Sequence, residues 1–591
     1  MKIEVHEVVA HSARRFCTSD IKRYRYPIGF SKFQIFNIAN RGFTEVFRNI
    51  QKDMIVRTIT RCSRIRKVPS FQPPLQRMKQ RAHSTSTSST TTTPTASSPA
   101  SILGAFTNEC DKLAPKFEVD GSQIQILRTP SEFYETLKSK ILAAETRVFL
   151  STLYIGKTEH ELISTLQQAL RAKPGLKLSI LTDALRGTRE SPNASCASLL
   201  APLVSEFGAD RVEIRMYHTP NLNGLRKKYI PKRINEGWGL QHMKLYGVDD
   251  EIIISGANLS SDYFTNRQDR YHVFSSKEVT QYFYNIQNAV SSLSFLVSPD
   301  PQLPAGYTLE WPSSNSCPSP LTDSQKYISH ASSILTPLIQ ASTTSNSISS
   351  NPQANTTIYP ISQFTPLFPS TSDTSTELPL LTRLLTLLNS PTTPSSWTFT
   401  AGYFNPSPTL TSLLLHTTSK NNTVLTASPH ANGFYNSPGV SGMLPAAYTL
   451  LLRKFLVAAQ KIQGPSPSIT LREWKRGTVN EPEGWTYHAK GLWVSFPTQS
   501  SSSSPTETPK PAITVLGSSN YTKRSYTLDL ETGVMIVTRD PELQERLRQE
   551  RDGLGEWASE VGMKEFQSSE RRVGLHVRIA MWIVGVVGGA L

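Results

Sequence analysis

The chain is short of the features that mark several function classes. Its 591 residues include only five cysteines, Cys17, Cys62, Cys110, Cys196 and Cys317, and no two share a paired spacing. Neither a disulfide framework nor a zinc site follows. Charged residues make up only 18%, while Ser, Thr and Pro abound, so parts of the chain are expected to carry no packed core. No continuous apolar core of the secretory type opens the sequence. No apolar run reaches the roughly 20 residues that cross a bilayer. The C-terminal run over 579–591 has 13, and whether it dips into one leaflet or packs on the body stays open.

Basic charge in the body is also missing. The net charge is +16, but residues 1–107 hold 18 Lys and Arg against 5 Asp and Glu, leaving the rest close to neutral. A near-neutral body argues against a nucleic-acid groove, and a basic arm reads as an address or a surface tail. The arm is rich in Arg, Ser and Thr, with short apolar patches such as Phe33-Gln34-Ile35-Phe36. That composition fits a mitochondrial transit segment and also a basic tail.

What is present is order repeated twice. A Ser/Thr tract over 84–99 separates the arm from the body. Helix-like runs over 132–144, 159–172 and 197–207 then alternate with apolar strands over 148–155, 176–182 and 212–217. Thr158 and Glu161 stand at capping-box spacing before the second helix. The same alternation returns over 380–474, which predicts an α/β fold with a largely parallel sheet in each of two halves. His242 and His488 are 246 residues apart and Phe149 and Phe399 are 250 apart, so the halves keep register as an internal duplication. The expected domains are an arm and linker (1–105), an N-terminal half (106–296), a Ser/Pro-rich linker with short helices (297–375), a C-terminal half (376–565) interrupted by an insertion at 497–511, and an apolar tail (566–591). Lys490 and Gly517 are expected to meet across that insertion, since loop-closure cost grows slowly with length.

Each half carries the same chemistry. The first reads QHMKLYGVDDEIIISGANLSSDYFTNRQDRY and supplies His242, Lys244, Asp249, Asn258 and Asp269. The second reads YHAKGLWVS, resumes as ITVLGSSNYTKRSYTLDLE, and supplies His488, Lys490, Asn520 and Glu531. A His and a Lys two apart on a strand share one face. Two imidazoles at one phosphorus divide the labour between a nucleophile and a proton carrier. The lysines and asparagine amides stabilise phosphoryl oxygens, and Asp269 and Glu531 orient the rings through the nitrogen that faces away from substrate. This design calls for no metal or cofactor, although a stimulating divalent cation stays open.

The paired motif resembles the phospholipase D superfamily, and the wording SGANLSSDYFTNRQDRY, YHAKGLW and GSSNY resembles its eukaryotic mitochondrial phosphatidylglycerophosphate synthase branch. The resemblance covers about residues 106–538. It implies two pseudo-symmetric α/β/α halves with one composite active site, and His242 as nucleophile with His488 as acid/base. It also implies transfer of a phosphatidyl group from CDP-diacylglycerol to sn-glycerol 3-phosphate, the committed step toward cardiolipin. The expected setting is the matrix side of the mitochondrial inner membrane, on an anionic membrane surface, with no nucleic-acid partner. The competing expectations are a phospholipase D-type lipid hydrolase, a phosphatidylserine synthase and an inactive membrane scaffold. Two departures stand out: Ala257-Asn258 replaces the usual Ser-x-Asn, and Ser495 stands where the second aspartate belongs. Asp249 itself, though part of the catalytic motif, is expected to support the fold away from the phosphorus.

Three further stretches carry weaker signals. Gly156-Lys157-Thr158 is superficially like a phosphate loop, but Ser151 replaces its first glycine. A strand exit is the preferred alternative to a nucleotide-phosphate contact. His430 either lines the pocket or sits in a structural loop. Arg226, Lys227, Lys228, Lys232 and Arg233 form a solvated loop or receive an anionic acceptor or headgroup.

Overall fold

The computed structural model describes residues 99–230, 232–341, 354–390, 394–497 and 508–586. The expected transit arm and Ser/Thr tract, the centre of the 497–511 insertion and the last five residues of the apolar tail lie outside them. Residues from 96 onward form one compact unit.

Each half begins with the expected alternation, and the predicted elements fall within about four residues of those observed. In the first, Thr129 caps the helix Pro130–Ala143 by accepting from the Glu132 amide, with proline at its first position. Phe133, Leu137 and Ile141 are buried along its stripe, while Leu142 stays outside. The second helix, His160–Ala172, departs from expectation. Its cap is Glu159, without a side-chain bond to the helix. The Glu159 carboxylate instead accepts from the Ser261 amide and hydroxyl at 2.9 and 2.7 Å, tying this helix to the turn after Asn258.

Two nine-stranded sheets carry the fold. In the N-terminal half, Arg147–Ser151, Lys177–Asp183 and Val212–Tyr217 run parallel. On the other side of Arg147–Ser151 come Leu245–Val248, Glu251–Ser255, Tyr271–Ser275 and Ile124–Leu127, all antiparallel to their neighbours. The C-terminal sheet repeats this order. Ser396–Ala401, Asn422–Ala427 and Ile469–Trp474 are parallel, and Lys490–Ser495, Pro511–Gly517, Glu531–Thr538 and Thr356–Gln363 are antiparallel. The sheets are therefore mixed, not largely parallel, because the strands that follow each histidine motif fold back on their neighbours, through the two-residue turn at Asp249-Asp250 or through longer loops, without a long helical crossover. Strands that return this way lie antiparallel, whereas helical crossovers give parallel ones.

The expected boundaries shift in two places. Helix Pro99–Cys110 packs Leu103, Phe106 and Cys110 into the core of the C-terminal half, and Phe117–Val119 pairs with Thr356–Ile358 of its sheet. The supposed linker is also largely structured. Phe295–Pro299 and Tyr307–Glu310 extend the N-terminal sheet, helix Ser324–Ile339 buries Tyr327, Ala331, Leu335 and Ile339, and Thr356–Gln363 is a full strand. Across the insertion, Leu492 pairs with Val515, as expected of strands meeting over a long loop.

Phe149, Ile252, Ile254 and Phe274 of one half share a core cluster with Ile358, Trp493, Leu516, Val534 and Ile536 of the other. Complete burial of each such side chain contributes about 1.5–3 kcal/mol, so the halves are one body. Beside this core, Arg270 donates to both Glu550 oxygens at 2.9 and 2.8 Å, to Val515 O and to Thr514 Oγ1, while Glu550 also contacts His272 Nε2 and accepts from Trp493 Nε1. The helix Leu444–Gln463, with the turn before it, is long and apolar enough to cross a membrane. Its Ala447, Leu452, Phe455, Leu456 and Ala459 are buried against the C-terminal sheet.

Candidate active site

Two equivalent backbone bridges bring the motifs together. The His242 amide donates to Leu530 O at 2.9 Å, and the His488 amide donates to Gln268 O at 2.8 Å. In each case the acceptor immediately precedes the acid of the opposite half. That acid therefore arrives beside the histidine of the other motif. His242 Nδ1 lies 2.8 and 3.0 Å from the Glu531 carboxylate oxygens, and His488 Nδ1 lies 2.7 Å from Asp269 Oδ2. Asp269 and Glu531 thus orient the rings, but each serves the histidine of the other half, which spacing along the chain could not reveal.

The lysines complete a symmetric set. Lys244 Nζ donates to His242 O at 2.6 Å, and Lys490 Nζ donates to His488 O at 3.1 Å. All four side chains are buried. The turn at Gly256 must be small, because a Cβ there would meet the Asp269 carboxylate at 2.8 Å and Lys490 Nζ at 2.9 Å.

Burial dominates the electrostatics. It pulls His242 well below the ordinary imidazole range, with Lys244 beside it adding to the effect. His488 is lowered to about 3 by burial and by Lys490, whose Nζ sits 2.8 Å from Nδ1, against the opposing pull of Asp269. Both rings are therefore neutral at physiological pH, with Nδ1–H facing the carboxylate and Nε2 left as the acceptor; at His488, Lys490 Nζ and Tyr263 OH each lie 3.3 Å from that atom. Burial raises Glu531 to about 7 in spite of Lys244 and Ser518. Asp269 lies below its usual value because Lys490 and His488 outweigh its burial.

The two acids are not dressed alike. Ser518 Oγ donates to Glu531 Oε2 at 2.5 Å. The first motif has Ala257 in place of that hydroxyl, and Asp269 accepts instead from the Arg270 amide at 2.9 Å.

No family model matches the chain. Among curated proteins, the CDP-diacylglycerol–glycerol-3-phosphate 3-phosphatidyltransferase of Saccharomyces pastorianus is 46% identical over 496 residues, covering 83% of this chain and 94% of the relative. The mitochondrial protein of the same name from Homo sapiens is 34% identical over 498 residues, covering 79% and 83%. The chain belongs to the CDP-diacylglycerol–glycerol-3-phosphate 3-phosphatidyltransferase family. Among solved structures, the phosphatidylserine synthase of Haemophilus influenzae aligns with a TM-score of 0.58 at 17% identity, over 82% of this chain and 97% of that one, a likeness of fold.

In this phosphatidyltransferase-family chain the remaining candidates divide. Asn258 Nδ2 donates to Tyr263 OH at 3.2 Å, and that hydroxyl lies 3.3 Å from His488 Nε2. The Oδ1 atoms of Asn258 and Asn520 are both buried without a partner. Asp249, grouped with the catalytic motif, makes its bonds elsewhere. Its carboxylate accepts from the amides of Glu145, Thr146 and Arg147 and from Thr146 Oγ1, so it braces a tight turn where its own φ is +49°. Ser495, its counterpart, donates to Pro509 O and accepts from Arg551.

Gly156, Lys157 and Thr158 form a strand exit and not a phosphate cradle. The Gly156 amide donates to Leu259 O at 2.8 Å, Lys157 and Thr158 are exposed, and Glu159 occupies the start of the following helix. His430 lies in a short helical turn with its ring against Tyr435. In the basic run, Lys232 donates to Ser191 O, while Leu225 and Tyr229 stay exposed. Among the described residues no three His, Cys, Asp or Glu side chains cluster to hold a metal ion.

Sequence reasoning missed the aromatic walls. Tyr263 and Tyr403 stand edge-on to His488, with ring centres at 5.2 and 5.6 Å, and Tyr448 stacks on Tyr403. Tyr263 lies inside the quoted motif, but nothing in its spacing sets it apart from a core aromatic.

Proposed function

We propose that this chain transfers the phosphatidyl group of CDP-diacylglycerol to sn-glycerol 3-phosphate, releasing CMP and forming phosphatidylglycerophosphate. The observation that carries the chemistry is the crossed arrangement of His242 with Glu531 and His488 with Asp269, flanked by Lys244 and Lys490. The donor and acceptor come from the names of relatives up to 46% identical over most of the chain.

In the first step His242 Nε2 attacks the phosphatidyl phosphorus, the bond to the CMP oxygen breaks, and His488 delivers a proton to that oxygen. In the second, the acceptor hydroxyl attacks, the P–N bond breaks, and His488 takes the hydroxyl proton. His242 is already neutral, as a nucleophile must be. His488 is neutral too, so the acid has to be charged on substrate binding. An anionic pyrophosphate beside a buried imidazole favours its protonated form, so the substrate itself loads the acid. Lys244, Lys490 and the Asn258 and Asn520 amides would hold the phosphoryl oxygens where negative charge develops.

The vertebrate relatives are named mitochondrial, and the basic arm supports the same address for this chain. We place its work at the matrix face of the inner membrane, as a peripheral enzyme on an anionic surface. The deciding experiment supplies purified protein with CDP-diacylglycerol and a panel of acceptors: glycerol 3-phosphate, serine and water. Phosphatidylglycerophosphate and CMP in equal amounts with glycerol 3-phosphate alone is the expected result. Product with serine or water instead would replace the transferase by a phosphatidylserine synthase or a hydrolase, and no turnover with any acceptor would leave a scaffold.

A further inference from the structure

Two features meet on one face of the C-terminal half, away from the described site. Arg453, Arg571, Arg572 and Arg578 line a cavity of about 380 Å³ beside helix Leu444–Gln463. Arg571 is committed, since both of its terminal nitrogens donate to Glu473 at 2.6 Å. Among the described residues, no carboxylate pairs with Arg453, Arg572 or Arg578. Glu570, beside Arg571 and Arg572 on the neighbouring cavity wall, is the other acid close by.

The second feature is apolar. On the helix Leu575–Val586, Val577 is buried, while Leu575, Ile579 and Trp582 are 72%, 49% and 68% exposed. At about 100° per residue these three fall on one stripe, with Arg578 at its edge. Large apolar side chains aligned in water beside unpaired guanidinium groups match a helix that lies in a membrane interface.

We propose that this face docks the chain on anionic phospholipid, with headgroup phosphate in the arginine cavity and Leu575, Ile579 and Trp582 entering the acyl boundary. Planar guanidinium groups hold phosphate oxygens bidentately, and the apolar stripe supplies what a soluble anion alone would not use. The inference rests on the reading that the enzyme works at a membrane and names the surface it uses. That surface shares a helix with the active site. Tyr448, on Leu444–Gln463, stacks on Tyr403 beside His488, and Thr449 and Arg453 of the same helix line the cavity. A lipid held there touches the same helix whose Tyr448 stacks beside the active-site histidine.

The test is sedimentation of the full chain with vesicles of phosphatidylcholine alone and with phosphatidylglycerol added. Wild type is expected to bind the anionic vesicles, and less so as salt rises. The triple variant R453Q/R572Q/R578Q should lose about 100-fold in partitioning, roughly fivefold per arginine. L575S/I579S/W582S should lose binding to a similar extent while gaining nothing on neutral vesicles. Unchanged thermal unfolding of both variants would show that the fold is intact. Wild type binding with both variants binding equally would overturn this surface but keep a membrane enzyme. Wild type binding no vesicle would overturn the membrane reading and this inference together.

Discussion

The crossed acids make a prediction that an uncrossed arrangement would reverse. Glu531 is fully buried, its two oxygens lie 2.8 and 3.0 Å from His242 Nδ1, and it makes no hydrogen bond with His488. A hydrogen bond to a charged group contributes about 1.5–3 kcal/mol, and removing such a partner behind a reacting imidazole costs about 10- to 100-fold. The assay uses CDP-diacylglycerol labelled in the phosphatidyl phosphate, in a His488→Asn background where a phosphatidyl-His242 adduct forms slowly and persists. In that background Glu531→Gln should slow adduct formation by about 10- to 100-fold. Asp269→Asn should leave it nearly unchanged, because the histidine it orients is already gone. The opposite pattern would refute the pairing, and equal effects would refute the claim that each acid acts through one ring.

Other outcomes follow from particular contacts. Arg270→Met strands the Glu550 carboxylate in the core and should destabilise the protein by about 3–5 kcal/mol, with Glu550→Leu in the same chain recovering most of the loss in chemical denaturation. The three site groups should make stability rise with pH between about 4.5 and 6.5, read as the difference between wild type and the H242N/H488N/E531Q variant. His242 and His488 have folded values below their ordinary 6.5, so the unfolded chain binds two more protons there, while Glu531, raised from 4.5 to about 7, binds one more in the fold. Their balance of one proton gives about 1.4 kcal/mol per pH unit in that difference, and a flat or falling difference would contradict the assigned protonation states. Tyr263→Phe removes the hydroxyl 3.3 Å from His488 Nε2 and should cost about 2- to 10-fold in kcat with a shifted pH profile. Gly491→Ala should fail to accumulate as folded protein, since its φ is +151° and a Cβ would strike Arg270 Nη1 and Val515 O.

Much of this was legible because a duplicated chain states its strand order twice. Val148, Ile180 and Ile214, and then Phe399, Val424 and Leu471, recur in apolar runs between amphipathic helices, and those runs are the parallel strands of each half. The four residues of the two H-x-K motifs were legible for a similar reason, since two such motifs in register are improbable by chance. The exchange of acids was not, because a pseudo-twofold arrangement is equally consistent with each acid serving its own half or the other. Composition also misled over 297–375, where strand Thr356–Gln363 is a polar-looking TTIYPISQ. Its residues are nearly all buried, as a strand packed on both faces must be, so periodicity gave no signal. The same holds for Phe117–Val119, three residues whose partner lies more than two hundred positions away.

That short strand, with the helix before it, constrains how the molecule comes into being. As the chain leaves the ribosome, Leu103, Phe106 and Phe117 emerge ahead of the half they precede, yet their seats are built by Thr356–Gln363 and by Leu380, Leu381 and Leu384. They must wait, uncovered, while the whole first half is made, and loops that close over such distances close late. A C-terminal half produced by itself would lack this lash, leaving an open sheet edge at Thr356 and a leucine-lined gap that invites the lash of another molecule. The two halves look like separable twins, but one of them is born holding the other's seam.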